Sequence, residues 1–137
     1  MKVFFDTSVI VPFSDESHIH HRRSLDRILQ YQNDAVIDVR VLAETYATLS
    51  GKMRKPVEEA LLFISEISTR FEVVELTVTE YLKAVTSCAS RGISGAAVYD
   101  ALHARCAVKA GVEVLYTWNV KDFVRLGPEV AGLVQTP

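Results

Sequence analysis

The sequence predicts an α/β protein, a single domain with a central, mostly parallel sheet flanked by helices. Three observations carry that expectation. Short apolar runs alternate with longer stretches of helical periodicity along the chain. The runs show little polar alternation, as strands covered on both faces do. A length of 137 residues, with 49% hydrophobic and 23% charged side chains, suffices for one core. No repeat, low-complexity segment or internal boundary divides residues 1–137.

The first strand is Val3-Phe4-Phe5, which delivers the Asp6 carboxylate and then the hydroxyls of Thr7 and Ser8. In parallel sheets, ligands collect at this carboxyl end of the strands. An aspartate there is either a helix N-cap or a metal ligand, and only other acids at the same edge decide between the two. Val9 to Phe13 continues as a short helix or turn, with Pro12 early in it. The next helix opens in Ser17-His18-Ile19-His20-His21-Arg22-Arg23 and runs to about Gln32, with Leu25, Ile28 and Leu29 as its apolar face. His18, His20 and His21 lack both the i, i+4 spacing and a neighbouring Cys, so they read as a solvated helix start rather than a metal site. Arg22 and Arg23 are exposed candidates for phosphate contact.

Asp34 to Asp38 is the second strand, and Val39 to Ser50 the following helix, ended by Gly51. Leu42, Tyr46 and Leu49 form its stripe, with Glu44 roughly opposite. Val39, Val41, Ala43 and Ala47 make the helix apolar on several sides, which puts Glu44 in crowded surroundings. Lys52, Arg54 and Lys55 form a basic loop, a solvated connection that is also a candidate contact for a nucleic-acid backbone.

Pro56 suits the first turn of a helix over Val57 to Arg70, with a stripe of Ala60, Leu61, Phe63, Ile64 and Ile67. Phe71 to Glu75 is strand-like. Thr77 and Glu80 have the capping-box spacing that opens a helix to about Ser90. After the Arg91 to Gly95 loop, Ala96 to Ala110 is a helix apolar around most of its circumference. Asp100 falls in its first turn, on the small-residue stripe of Ala97, Ala104 and Ala107, where a carboxylate is costly without a partner or a metal. His103 is read as structural. Gly111 ends the helix, Val112 to Tyr116 is a strand, and Thr117 to Phe123 is the loop at its carboxyl end, carrying Asn119 and Asp122. Gly127-Pro128 turns the tail toward an edge strand around Leu133-Val134.

A net charge of -2 gives no polyanion-binding signal. Setting aside Asp6, Glu44, Asp100 and Asp122 leaves the remainder net positive, so net charge does not decide the question. No apolar run approaches the length of a membrane span, and the N-terminus lacks the pattern of a secretion signal; the expected location is cytoplasmic, away from membrane. Cys88 and Cys106 are isolated in helix-like stretches and read as core thiols.

Alternation of strand and helix places Asp6, Asn119 and Asp122 just after strands, Asp100 in a helix's first turn, and Glu44 in the helix after the second strand. Hard oxygen donors without Cys or well-spaced His select Mg²⁺ or Mn²⁺ over zinc. The four segments Val3-Phe4-Phe5-Asp6-Thr7-Ser8, Val41-Leu42-Ala43-Glu44, Tyr99-Asp100-Ala101-Leu102 and Thr117-x-Asn119-x-x-Asp122-Phe123 occur in an order that resembles the PIN-domain ribonucleases, above all the VapC-like toxins of toxin–antitoxin pairs. The resemblance implies that Asp6, Glu44 and Asp100 form an acidic metal site supported by Ser8, with Thr7, Thr117 and Asn119 beside it. Asn119 stands where some members have Asp, and Asp122 is the substitute fourth acid. It further implies Mg²⁺- or Mn²⁺-dependent hydrolysis of RNA to a 5′-phosphate and a 3′-hydroxyl, a homodimer, and a small DNA-binding antitoxin partner that blocks the site.

Two other classes compete. A receiver-like phosphoacceptor domain also gathers acids around Mg²⁺, but the lysine it needs is poorly matched by Lys121, and acyl-phosphate labelling would reveal it. A non-catalytic RNA-binding or protein-interaction member of the same fold would retain RNA without turnover.

Overall fold

Strand β1 (Val3–Phe5) is completely buried and forms the middle of the sheet in the computed structural model, which describes all 137 residues. Its neighbours are β2 (Ala35–Asp38) and β4 (Val114–Tyr116), with β3 (Glu72–Val74) and β5 (Val134–Gln135) at the edges. The order is β3-β2-β1-β4-β5, and every adjacent pair is parallel, so the expected mostly parallel sheet is wholly parallel. Phe4 lies opposite Val36 on one side and Leu115 on the other. All-parallel sheets need both faces covered, and β1 meets that need by alternation. Phe4 points to the ring of His103 on one face, while Phe5 stacks on Tyr116, which stacks on Tyr31, on the other.

Helices α1 (Thr7–Phe13) and α2 (His21–Tyr31) link β1 to β2, and α3 (Val39–Ala47) and α4 (Val57–Arg70) link β2 to β3. Then α5 (Val78–Ser90) and α6 (Ala97–Ala110) lead to β4, and α7 (Val120–Val124) and α8 (Pro128–Ala131) lead to β5. From β1 the chain winds outward through β2 and β3, then returns to the other side of β1 for β4. The winding direction therefore reverses between β1 and β4, and in such sheets the carboxyl end of that gap opens into a crevice.

Helices α1, α2 and α3 depart from the sequence-based expectation, and α7 forms where a loop was expected. Helix α1 begins at Thr7, so Pro12 falls near its end rather than early, next to the last helical residue, Phe13. Helix α2 starts at His21 instead of Ser17, because the Asp15 carboxylate accepts hydrogen bonds from the Ser17 N–H and hydroxyl and holds a turn before it. Helix α3 gives way at Thr48 to a π-helical turn through Lys52. Its buried residues are Val41, Thr45 and Leu49, while Leu42 is half-buried and Tyr46 exposed, so the core face is displaced from the expected stripe. Glu44 consequently sits at the border of the buried face instead of opposite it. The thirteenth residue of α5 is Ser90, its capping box of Thr77 and Glu80 is complete, and Gly111 closes α6 with φ of 70°, a left-handed cap that favours glycine.

Candidate active site

Asp6 occupies the N-cap position of α1, yet its side chain caps nothing. The carboxylate is instead held by two hydroxyls from opposite sides of the crevice. Ser8 Oγ donates to Oδ1 at 2.6 Å and Thr117 Oγ1 donates to Oδ2 at 2.7 Å. Each hydroxyl is fixed in turn by a backbone donor: the Trp118 N–H donates to Ser8 Oγ at 2.9 Å and the Asn119 N–H to Thr117 Oγ1 at 2.9 Å. The end of β1 and the end of β4 thus aim one carboxylate at the mouth between them. Burial pushes the Asp6 carboxyl up to about 6 despite the two hydroxyls, and the negative charge of Asp100 adds to the rise.

Asp100, half-buried in the first turn of α6, is also pushed upward. Burial is the main cause, His103 opposes it, the charges of Asp122 and Glu44 reinforce it, and Arg125 works against it. Asp122 lies in α7 with Arg125 Nη2 3.8 Å from its Oδ1. Asn119 is exposed, and its side chain makes no hydrogen bond to the cluster; its backbone N–H is its contribution. Asp100 therefore shares charge effects with each of the other three acids, raising Asp6 and being raised by Glu44 and Asp122. Asp6 and Asp122 follow the ends of β1 and β4, Glu44 is on α3 and Asp100 is in the first turn of α6.

Glu44 is in a different electrostatic state. Its Oε1 accepts from Thr7 Oγ1 at 2.7 Å and His103 Nε2 at 2.9 Å, and its Oε2 accepts from Arg40 Nε at 3.1 Å and Nη2 at 2.9 Å. Burial opposes the charge, but His103, Thr7 and Arg40 outweigh it and hold the carboxyl down at about 2. His103 is buried, with Nδ1 2.6 Å from Asp38 Oδ2. Burial alone would lower it; Asp38 and Glu44 instead lift the imidazole to about 10, so it is an imidazolium joining two carboxylates at neutral pH. Asp38 also caps α3 by accepting from the Val41 N–H at 2.8 Å.

His103 is buried, as a structural residue is, and it also touches Glu44; with Asp38 and Arg40 it is the neighbour of the acids that sequence reasoning missed. Signals were present. Asp100 and His103 are three apart and Arg40 and Glu44 four apart, the spacings that put helical side chains on one face.

The basic candidates separate. Arg23 lies 5.4 Å from the Trp118 ring centroid, and Trp118 is stacked on His20 at 3.8 Å, next to Ser8 and Thr117. Arg22 is exposed and paired with Asp26. Lys55 lies by Ser14, at the end of α1 far from Asp6, and Lys52 and Arg54 flank it beyond α3. His18, His20 and His21 hold no common centre: His21 Nδ1 is 2.8 Å from the Pro12 carbonyl and His20 is in its stack. Both cysteines are free and buried, and burial with the nearby Asp38 charge pushes the Cys106 thiol up to about 12, which disfavours its thiolate.

The donor set fits a hard divalent cation in kind. Asp6 and Asp100 are carboxylates whose negative form is disfavoured by burial and mutual repulsion, the imbalance that a bound cation removes. In this conformation, however, no three His, Cys, Asp or Glu side chains converge into a metal-holding group.

A family model for the PIN domain matches residues 3–127, and the chain belongs to that family. Among solved structures, it is similar to VapC20 of Mycobacterium tuberculosis, described as a sarcin-ricin loop cleaving toxin. The match has 18% identity and a TM-score of 0.73 and covers 88% of this chain and 92% of that one. It is similar also to VapBC2 of Rickettsia felis, bound to a DNA fragment from its promoter, at 22% identity and a TM-score of 0.69, covering 99% and 98%. A Pyrobaculum aerophilum protein matches at 17% identity with a TM-score of 0.65, covering 98% and 83%. No curated protein sequence matches.

Proposed function

We propose that residues 1–137 form one PIN-like nuclease domain, a Mg²⁺- or Mn²⁺-dependent endoribonuclease of the VapC kind that serves as the toxin of a toxin–antitoxin pair. The observation that carries this reading is Asp6. It is a buried carboxylate at the crevice between β1 and β4 that caps no helix, is aimed by Ser8 and Thr117, and feels a second acid, Asp100. A structural aspartate in that position would resemble Asp38, with a backbone N–H and a cation for partners.

Asp6, Glu44 and Asp100 would hold the metal, with Asp122 at the rim as the fourth acid. The bound cation would supply Lewis acidity and a water of lowered pKa for in-line attack on a phosphodiester. The chain's own groups do the positioning. Ser8 and Thr117 fix the rotamer of Asp6, Thr7 and His103 fix Glu44, and Asp38 fixes His103. Trp118, half-buried and stacked on His20 with Arg23 beside it, places aromatic surface and positive charge next to Ser8 and Thr117, suited to an unpaired base and its phosphate.

The toxin reading and the antitoxin partner draw on the Mycobacterium tuberculosis and Rickettsia felis relatives. No helix is long and apolar enough to cross a membrane, and a cytoplasmic location is part of the proposal. The homodimer has apolar surface available on α4 and α5, where Leu61, Leu62, Val78 and Leu82 are exposed.

The test is incubation of purified protein with structured and single-stranded RNA, with Mg²⁺ or Mn²⁺ and then with chelator. Cleavage should need the metal, and Asp6→Ala or Asp100→Ala should lower it by more than about 100-fold, beyond the loss typical of groups outside the ligand set. Metal-independent cleavage would overturn the assignment. RNA retention without turnover would point to the non-catalytic member of the fold.

A further inference from the structure

Arg40 is the guanidinium bound to Glu44, and its position is built rather than incidental. It precedes Glu44 by one helical turn on α3, and both Nε and Nη2 point to the same oxygen, Oε2, at 3.1 and 2.9 Å. The guanidinium lies 3.9 Å from the ring centroid of Tyr99, the residue before Asp100 on α6. One cation therefore ties the acid on α3 to the helix that carries Asp100. With side-chain exposures of 30% and 28%, the pair is largely sheltered, unlike the open Arg22–Asp26 pair, where Arg22 is 83% exposed. Shelter and a charged acceptor both strengthen such hydrogen bonds.

The consequence concerns what Glu44 has left to offer. Oε1 is used by Thr7 and His103 and Oε2 by Arg40, so neither oxygen is uncommitted. His103 is anchored behind by Asp38 and is not displaceable without opening the core. Arg40 reaches the surface instead, its own side chain 30% exposed and its seat, Tyr99, 44% exposed. In this conformation Glu44 is hydrogen-bonded to Arg40 and His103, and no three-acid metal group forms.

We propose that Arg40 is an intramolecular gate on the metal position, its guanidinium occupying the Glu44 oxygen that a divalent cation requires, so that the cation enters only as Arg40 leaves. The inference rests on the metal-dependent reading of the site. Metal affinity is then reduced by the fraction of molecules in which Arg40 is displaced. Tyr99 sets that fraction, since the ring stabilises the closed position without bearing charge.

Mn²⁺ titration by calorimetry of the wild type, Arg40→Gln and Tyr99→Ala, each checked for folding by circular dichroism, tests this. Arg40→Gln should bind Mn²⁺ about tenfold more tightly. Tyr99→Ala, which changes no charge, should shift affinity several-fold in the same direction. The Arg40 Nε–H resonance of the wild type should move toward that of a free arginine as diamagnetic Mg²⁺ saturates the site, a readout that holds if a variant fails to fold. Unchanged or weaker binding by Arg40→Gln overturns the gate. So does tighter binding by Arg40→Gln with Tyr99→Ala unchanged, which is simple removal of a repulsive charge. If neither the wild type nor Arg40→Gln binds Mn²⁺, the metal reading fails along with the gate.

Discussion

Asp6 and Asp38 each follow an apolar parallel strand and precede a helix, and they end in opposite circumstances. Asp38 caps α3 and pairs with His103, both stabilising contacts, whereas Asp6 accepts hydrogen bonds only from hydroxyls and feels the opposing charges of His103 and Asp100. Removing the imidazolium leaves Asp38 buried without its cation, and breaking a buried pair from one side costs about 3–5 kcal/mol. We expect His103→Ala to lose stability of that order in urea unfolding; a loss below about 1 kcal/mol, typical of an exposed pair, would show that the pair is not buried in solution. Legibility at this scale follows range. Asp6 and Asp100 stood out because a carboxylate among apolar neighbours is a local anomaly. Asp38 and His103 are 65 residues apart and His103 and Glu44 are 59 apart, so no window of sequence contains both partners.

Helices announce their ends more clearly than their faces. The box of Thr77 and Glu80 opens α5, and Lys109 of α6 donates to Glu80 Oε1 at 2.7 Å, so one cap also joins two helices. Thr77→Ala should cost about 1 kcal/mol by chemical denaturation. Lys109 first, and the Thr77 N–H next, hold Glu80 down at about 2 from its ordinary 4.5. A carboxyl lowered on folding stabilises above its unfolded value, and that contribution disappears as pH falls through the folded one. Glu80→Gln should therefore differ from wild type in stability at neutral pH and converge with it below about pH 2; a constant difference throughout would show that Glu80 acts by packing instead of charge. The face of α3 was less legible because its buried pair, Val41 and Thr45, includes a polar side chain, so the apolar stripe of Leu42 and Tyr46 points to the wrong side. With Val41 and Thr45 toward the core, Glu44 lies at the border of the buried face, next to Thr7 and His103.

At the scale of the molecule, sheet order turns separate motifs into one place. With β1 central and β4 on the side opposite β2, the ends of β1 and β4 share a crevice, and α3 and α6 bring Glu44 and Asp100 to it. Alternating strands and helices foretold the parallel sheet, but not which strands would be neighbours, since strand order is settled by packing over the whole chain. Short elements escaped for a related reason: α7 and α8, of 5 and 4 residues, are too brief to show a period. The account depends on this crevice being a cation site once Arg40 yields Glu44. Anomalous scattering from crystals grown with millimolar Mn²⁺ tests that most directly. A peak bounded by the carboxylates of Asp6, Glu44 and Asp100, with Arg40 turned away from Glu44, is the expected result. A crevice without a peak, while Mn²⁺ orders elsewhere on the protein, would contradict it.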